Sequence, residues 1–194
     1  MKPLVIVFAR APRLGTVKTR LAAGIGARRA LRFHSETLAA TLRKLRADRR
    51  FAVRLAAIPT GASGPWRQRV AQMDQVRGDL GIRMDQAFRA HPRRCVALVG
   101  CDIPALTANE VASALHALRG ADAVFGPATD GGYWLVAMGA RRPAKPFANV
   151  RWSSAHALSD TLANFAHRRI RFTKTLADVD EAADLISGAR AGAA

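Results

Sequence analysis

Short apolar runs, separated by segments with helical spacing, constrain the fold of this chain more than any other feature of its sequence. Residues 4–8 (Leu-Val-Ile-Val-Phe) are continuously apolar and mostly β-branched, which is typical of a strand buried on both faces. Similar runs lie at 51–58, 95–100, 122–125 and 133–138. We predict a strand in each of these runs.

Helical patterns lie between and after the strands. Over residues 27–47 the leucines keep helical spacing and arginines occupy the opposite face. Further helices are predicted over 79–90, 108–118, 155–166 and 181–189. Alternating strands and helices favour a mostly parallel sheet covered on both faces. We therefore expect a single three-layer α/β/α domain over residues 1–194.

Composition limits the class of protein further. A chain of 194 residues with 49% hydrophobic residues is long enough to bury a core without a disulfide or metal staple. Its two cysteines favour a reducing compartment, and no run approaches the roughly 20 apolar residues that a membrane span requires. We expect a cytoplasmic protein without a membrane span. The oligomeric state stays open.

The charge of the chain is large and unevenly distributed. The formal net charge is +17, of which residues 1–50 carry +11 (13 basic, 2 acidic), residues 51–100 carry +5 and residues 101–194 carry +1. Such a cationic half suggests an anionic partner, either nucleic acid or a phosphorylated small molecule. Nucleic acid is the less favoured, because aromatic residues are only 6% and a basic tail is lacking.

Ligands of open α/β sheets bind at the carboxyl ends of the strands, so the segments after the predicted strands carry the most information. The first such segment, residues 9–20, contains Arg10, Arg13, Lys18 and Arg20, together with Gly15. Four cations and a flexible glycine suit a di- or triphosphate. Neither the dinucleotide-binding glycine pattern nor the Walker pattern is present.

Two acidic segments follow later strands. Asp102 directly follows the run at 95–100 and is a suitable ligand for Mg²⁺, although it could equally cap the turn before Pro104. Asp178 and Asp180 precede the last predicted helix. Asp180 also suits a helix N-cap, whereas Asp178 has less structural reason to be there. We take all three aspartates as candidate ligands of Mg²⁺ or Mn²⁺.

Residues 126–133 (Gly-Pro-Ala-Thr-Asp-Gly-Gly-Tyr) form an unusual turn sequence between two predicted strands. An ordinary hairpin would account for Asp130 and the glycine after it. It would not require the whole run. The segment is therefore a further candidate part of the functional site.

Together these motifs resemble those of the bacterial glycosyltransferase-like family in the nucleotide-diphospho-sugar transferase superfamily, including proteins of the arsenosugar-biosynthesis type. The resemblance is more distant to the guanylyltransferases of molybdenum-cofactor and phospholactate metabolism. The matching motifs are residues 18–21, 78–84, 100–104, 126–133 and 178–180.

The resemblance implies a glycosyltransferase-A type fold, a nucleotide on the first half of the sheet and a divalent metal at Asp102. It further implies roles for two groups of residues. Gly78, Leu80 and Arg83 would enclose the nucleoside. Asp130, Tyr133 and Trp152 would face a small-molecule acceptor, with Asp130 a candidate base.

One departure from the pattern keeps two reactions open. Many nucleotide-sugar glycosyltransferases carry an Asp-x-Asp metal motif, whereas this sequence has a single aspartate, Asp102, preceded by Gly100 and Cys101. We favour transfer of a glycosyl group from a nucleotide-diphospho-sugar. The alternative is nucleotidyl transfer from a nucleoside triphosphate to a phosphorylated acceptor, with release of pyrophosphate.

Overall fold

A computed structural model of the protein describes residues 1–62, 64 and 70–185. The strands are β1 (Leu4–Arg10), β2 (Ala52–Ile58), β3 (Ala71–Gln72), β4 (Val96–Val99), β5 (Ala123–Pro127), β6 (Tyr133–Met138) and β7 (Ile170–Phe172). The helices are α1 (Thr19–Ile25), α2 (Ala27–Ala47), α3 (Leu80–Arg89), α4 (Ala108–Ala117) and α5 (Ala157–Ala163). Within the described ranges, no helix is both long and apolar enough to cross a membrane.

The strands form one seven-stranded sheet in the order β3-β2-β1-β4-β6-β5-β7. β1 pairs in parallel with β2 and β4, and β5 pairs in parallel with β7. β6 is antiparallel to both of its neighbours, β4 and β5. The predicted α/β fold with a mostly parallel sheet is confirmed. Because β6 alone is reversed among these strands, the carboxyl ends of β1, β4, β5 and β7 meet at one edge.

The alternation of side chains along β1 builds a core on each face of the sheet. Val5 and Val7 pack in one cluster with the apolar face of α2 and with α4. Leu4 and Ile6 point to the other face, where they join Phe88 of α3. These four residues of β1 are fully buried. This two-sided burial explains why the strand is continuously apolar in sequence.

Most predicted elements lie within two or three residues of the observed ones. α2 has the predicted bounds, and α4 begins with a capping box in which Thr107 and Glu110 each accept the other's backbone N–H. The predicted loop at 9–20 is wrong at its end, because α1 begins at Thr19. β3 and β7 were not predicted, since they have two and three residues and little apolar patterning. The helix predicted over 181–189 begins at residue 182, and its part beyond 185 lies outside the described residues.

Gly126 in β5 offers a test of core packing, because an indole ring lies directly against it. A Cβ at this position would be 2.4 Å from Cε2 of Trp134. That ring is buried and its Nε1 donates to the carbonyl of Lys174 at 3.0 Å, so it has little freedom to move. We expect Gly126→Ala to lower the free energy of unfolding by about 1–3 kcal/mol, as overpacking does.

Urea denaturation measures this difference. Gly139→Ala is the matched control, because a Cβ there meets nothing within 4 Å. Equal unfolding midpoints for the two variants would show that the indole does not restrict position 126.

Candidate active site

Five charged residues that are distant in sequence lie at the edge of the sheet where strands end. Lys18 follows β1, Asp102 follows β4, and Asp130 lies in the turn between β5 and β6. Asp178 and Asp180 follow β7. The parallel arrangement of β1, β4, β5 and β7 brings these segments to the same edge. The acidic residues predicted from the sequence and Lys18, near the end of the cationic segment 9–20, thus share one location.

Backbone hydrogen bonds fix the segment after β7 against its neighbours. The N–H of Leu176 donates to the carbonyl of Pro127 at 3.1 Å, which extends the pairing beyond the end of β5. The N–H of Val179 donates to the carbonyl of Asp102 at 3.2 Å. Asp178 and Asp180, on either side of Val179, are therefore held beside the loop that follows β4.

Asp102, Asp178 and Asp180 form an acidic cluster. One carboxylate oxygen from each lies within 4.8 Å of the others, and all three residues are half-buried. Burial and the neighbouring carboxylates of Asp130 and Asp180 raise the pKa of Asp178 to about 6. The cluster is a set of oxygen donors at a spacing that a single cation can bridge.

Lys18 contacts two members of this acidic cluster. Its Nζ donates to Oδ2 of Asp102 at 2.9 Å and to Oδ1 of Asp180 at 2.5 Å, and its side chain is only 7% exposed. Burial alone would lower the pKa of Lys18, but the two carboxylates, Asp102 foremost, raise it overall. The ammonium is therefore charged and provides the counter-ion for the cluster.

The backbone of Lys18 has an unusual conformation. Its φ of 48° and ψ of 49° lie in the left-handed region at the N-cap of α1. That region costs a residue with a side chain about 1–2 kcal/mol. The surrounding contacts stabilise this backbone enough to keep the ammonium directed at the carboxylates.

The cleft along this edge has two lobes. The cationic lobe, about 670 Å³, is lined by Arg10, Lys18, Arg20, His34, Gln75 and Arg83 among others. The second lobe, about 610 Å³, is lined by Asp130, Tyr133, Trp152 and Asp178 among others. We call it the acceptor lobe after the prediction made above for the first three of these residues. Both lobes share Asp102, Asp180, Arg20, Leu80 and Trp152. The acidic cluster therefore lies where the two lobes join.

The cationic lobe contains two polar residues, Gln75 and His34, that the sequence analysis did not single out. Gln75 is buried; its amide donates to the carbonyl of Ala56 at 2.5 Å and accepts from Nη1 of Arg83 at 3.1 Å. Burial, together with nearby Arg10, lowers the pKa of Arg83. His34 lies on the apolar face of α2, four residues before Leu38, so its polar character on that face was a usable signal. Gln75 lies in a segment without any pattern that could have identified it.

Three predicted nucleotide-binding residues are not part of either lobe. Arg13 and Gly15 lie in an exposed turn, where Gly15 has a φ of 76°. Gly78 precedes α3 with a φ of 132°. None of the three is among the described residues that line the cleft. The two glycines have conformations that explain their identity without a ligand.

On the acceptor side, aromatic rings and a carboxylate come together. Tyr133 and Trp152 make an edge-on ring contact with centroids 6.4 Å apart. Burial raises the pKa of Tyr133, so its phenol stays protonated. Asp130 is exposed, and its Oδ1 accepts the N–H of Gly132 at 2.8 Å. The run at 126–133 does form a hairpin, but it also directs an acidic residue to the cleft.

Cys101, next to the acidic cluster, is buried. Its burial and the neighbouring Asp102 carboxylate raise the pKa of the thiol well above its usual value. A protonated, inaccessible thiol is a poor nucleophile. The chemistry of this site therefore depends on carboxylates and cations.

The fold and its similarity to a solved relative define the class of protein: a transferase of the nucleotide-diphospho-sugar transferase superfamily. The chain belongs to the DUF2064 family, described as "uncharacterized protein conserved in bacteria", whose model matches residues 37–154. No curated protein matches the chain. The predicted superfamily resemblance is confirmed, while the arsenosugar-biosynthesis type stays a prediction.

Three solved structures illustrate the similarity. A protein from Desulfovibrio desulfuricans G20, provisionally described as a nucleotide-diphospho-sugar transferase, is 28% identical with a TM-score of 0.88 over 100% of this chain and 89% of that chain. CMP:2-keto-3-deoxy-manno-octonic acid synthetase in complex with CTP is 11% identical, with a TM-score of 0.57 over 98% of each chain. Rv0371c of Mycobacterium tuberculosis H37Rv in complex with manganese is 15% identical, with a TM-score of 0.52 over 95% of this chain and 97% of that chain. The last two share the fold.

His34 provides a test of how the cationic lobe responds to pH. Its Nε2 lies 2.9 Å from the carbonyl of Arg10, and burial lowers the pKa of the ring below its usual 6.5. The unfolded chain therefore takes up this proton first, so the stability due to neutral His34 is present above about pH 6.5 and is lost as the pH falls below it. We expect His34→Gln, whose amide can also donate to Arg10, to lose less stability between pH 7.5 and 5.5 than the parent.

Thermal unfolding midpoints across this pH range provide the measurement. His116→Gln, at an exposed position in the last turn of α4, is the control and should not become less sensitive to acid. Parallel pH profiles for the parent and His34→Gln would contradict the prediction.

Proposed function

We propose that this protein is a metal-dependent transferase that uses a nucleotide-activated donor, and that it transfers a glycosyl group from a nucleotide-diphospho-sugar to a small-molecule hydroxyl. The observation that carries the proposal is the position of the acidic cluster, which lies where a cationic lobe joins a lobe with acidic and aromatic lining. A donor in the first lobe and an acceptor in the second would meet at the carboxylates.

The cationic lobe suits the donor. Arg10, Lys18 and Arg20 offer positive charge to a diphosphate, and guanidinium groups bind phosphate oxygens in a bidentate manner. Leu80 and Arg83 line the same lobe and would enclose the nucleoside. The synthetase of the same fold was solved in complex with CTP, which supports a nucleotide as the ligand proposed here.

The acidic cluster suits a divalent metal ion. Its three carboxylates are hard oxygen donors, which Mg²⁺ and Mn²⁺ prefer. Lys18 already holds a positive charge against two of them, so the pair accommodates a cation. Asp102, Asp178 and Asp180 would hold the metal, which would supply neutralisation of the departing diphosphate.

Asp130 is our candidate general base. Its carboxylate is exposed in the acceptor lobe, where it would take the proton of the attacking hydroxyl. The hydroxyl oxygen forms a bond to the anomeric carbon of the donor sugar as the bond from that carbon to the diphosphate oxygen breaks. Tyr133 and Trp152 offer aromatic surface on which a sugar or other small acceptor can pack.

The charge of the acceptor lobe favours glycosyl transfer over nucleotidyl transfer. Among its described lining residues, the acidic ones are Asp102, Asp130, Asp178 and Asp180, and the one basic residue is Arg20. A phosphorylated acceptor, which the alternative reaction requires, would face Asp130, the one of these carboxylates that is not a proposed metal ligand. A neutral hydroxyl compound would avoid that repulsion.

Nucleotidyl transfer remains the second candidate because Asp102 is not part of an Asp-x-Asp motif. In that reaction the phosphate of the acceptor attacks the α-phosphate of a nucleoside triphosphate, and pyrophosphate leaves. The cationic lobe and the metal ligands would serve equally, since phosphoryl transfer depends mainly on positioning and charge neutralisation.

A ligand panel tests the proposal. The protein is heated with nucleoside triphosphates and with nucleotide-diphospho-sugars, each with and without Mn²⁺, because a bound donor raises the unfolding midpoint by mass action. The proposal requires a Mn²⁺-dependent increase with at least one nucleotide-sugar. An increase confined to triphosphates would favour nucleotidyl transfer, and none with any nucleotide would refute a nucleotide-dependent activity.

We also keep the cytoplasm as the proposed location. Cys95 and Cys101 are both free thiols, with Cys101 buried and Cys95 half-buried. Unpaired cysteines are typical of a reducing compartment.

Asp102→Asn should abolish the metal dependence of nucleotide binding. The amide keeps the shape of the side chain but removes an anionic ligand. Titration calorimetry with the nucleotide that scores best in the panel, with and without Mn²⁺, measures the effect. Asp85→Asn, which removes a carboxylate outside the cleft, should behave like the parent. If Mn²⁺ still strengthens binding in Asp102→Asn, then Asp102 is only a turn residue.

Asp130→Asn should separate donor binding from chemistry. We expect nearly unchanged donor affinity and turnover lowered by about 10²–10⁴-fold, the usual contribution of a general base. Hydrolysis of the donor by water serves as the assay until the acceptor is identified. A loss of donor affinity with turnover preserved at saturation would make Asp130 a metal ligand rather than a base.

A further inference from the structure

The ammonium of Lys18 lies against two of the three carboxylates that would hold the metal, those of Asp102 and Asp180. It is 2.9 Å from one carboxylate and 2.5 Å from the other. A divalent metal takes oxygen ligands at about 2.0–2.6 Å. A metal that used these carboxylates would lie close to the ammonium, and the repulsion between the two cations favours withdrawal of the ammonium as the metal enters.

Withdrawal of the ammonium is costly unless it finds another anion. The Lys18 side chain is only 7% exposed. If the ammonium moved away from the carboxylates without finding another anion, it would lose two charge-assisted hydrogen bonds, and little water is available to replace them. A bare metal ion in solution offers the ammonium nothing in return. Metal binding alone should therefore be weak.

The donor supplies the missing partner. Lys18 also lines the cationic lobe, together with Arg10 and Arg20, where the diphosphate would bind. A lysine side chain has a flexible four-carbon stem, so its ammonium can change partners without a change of fold. Phosphate oxygens could thus receive the ammonium while the metal takes its place on the carboxylates.

We propose that Lys18 is an exchangeable counter-ion: it occupies the carboxylate site when no donor is bound and moves to the donor phosphates as the metal enters. The proposal rests on the donor and metal sites of the proposed function. It makes Lys18 a binding residue that couples the two ligands. Metal and donor then bind cooperatively, and the protein takes up its metal mainly together with the nucleotide.

Two titrations test the exchange, with Mn²⁺ and inorganic pyrophosphate as probes. The paramagnetic resonance signal of free Mn²⁺ reports binding of the metal alone. Calorimetry at saturating Mn²⁺ reports binding of pyrophosphate. Mn²⁺ and pyrophosphate also form a complex in solution, and this complex contributes equally to the titrations of all variants. The variants are Lys18→Met and Lys18→Gln, with Lys145→Met as a control that removes one exposed positive charge outside the cleft.

The exchange predicts changes of opposite sign in one variant. Lys18→Met should bind Mn²⁺ alone at least about tenfold more tightly, because no ammonium has to be displaced. It should bind pyrophosphate at least about tenfold more weakly, because the phosphate loses a cation. Lys145→Met should match the parent in both titrations. A merely structural role for Lys18 would weaken both ligands together.

Absence of a gain in Mn²⁺ affinity in a folded Lys18 variant would overturn the proposal. Circular dichroism identifies the folded variants, and Lys18→Gln serves if the methionine variant does not fold. Failure of the exchange alone would leave the Mn²⁺-dependent effect of nucleotide-sugars in the parent unchanged. Conversely, if no nucleotide binds the parent but the opposite shifts appear, the exchange stands and the proposed function fails.

Discussion

The carboxylates of Asp102 and Asp180 lie side by side at the edge of the sheet because a positive charge lies between them. Without the Lys18 ammonium, the repulsion between these carboxylates and Asp178 would oppose the docking of the segment after β7 onto the loop after β4. The backbone hydrogen bond from Val179 to Asp102 fixes the same contact. One ion-pair network therefore joins the first, middle and last parts of the chain, and it does so at the proposed reaction centre.

The reversed strand β6 gives this edge its two-sided character. The chain crosses from β4 through α4 to β5 and then returns through a hairpin, which inserts β6 between those two strands. The turn of that hairpin, which carries Asp130, therefore reaches the same edge as the ends of the parallel strands. The turn is closely packed, since a Cβ on Gly131 would meet backbone atoms of Ala155. That contact holds the segment with Trp152 against the hairpin. The acceptor lobe is thus a product of the antiparallel pair, while the cationic lobe belongs to the parallel half of the sheet.

The elements and the site differ in how far the sequence predicts them. Long local patterns, such as the leucine spacing of α2 and the Thr107–Glu110 capping box, determine their elements almost to the residue. α1 and β7 are short and acquire their structure from packing, which local pattern does not encode. Asp102 was selected because it follows a predicted strand, whereas Asp178 and Asp180 were selected from their position before the last predicted helix and from the family resemblance. The contacts between them were not predictable, because Lys18 is 84 residues from Asp102 and 162 from Asp180.

The uneven charge of the sequence becomes an uneven charge across the cleft. Residues 1–50 carry a net +11 and supply Arg10, Lys18 and Arg20 to the cationic lobe. The C-terminal half supplies the four aspartates that line the acceptor lobe. A polyanion such as nucleic acid would gain from the first lobe but be repelled at the second, so the arrangement suits a short anion that ends at the acidic cluster. The donor that we propose, a nucleoside diphosphate joined to an uncharged sugar, has this charge distribution: its phosphates would meet the cations, and its sugar would lie where the carboxylates begin.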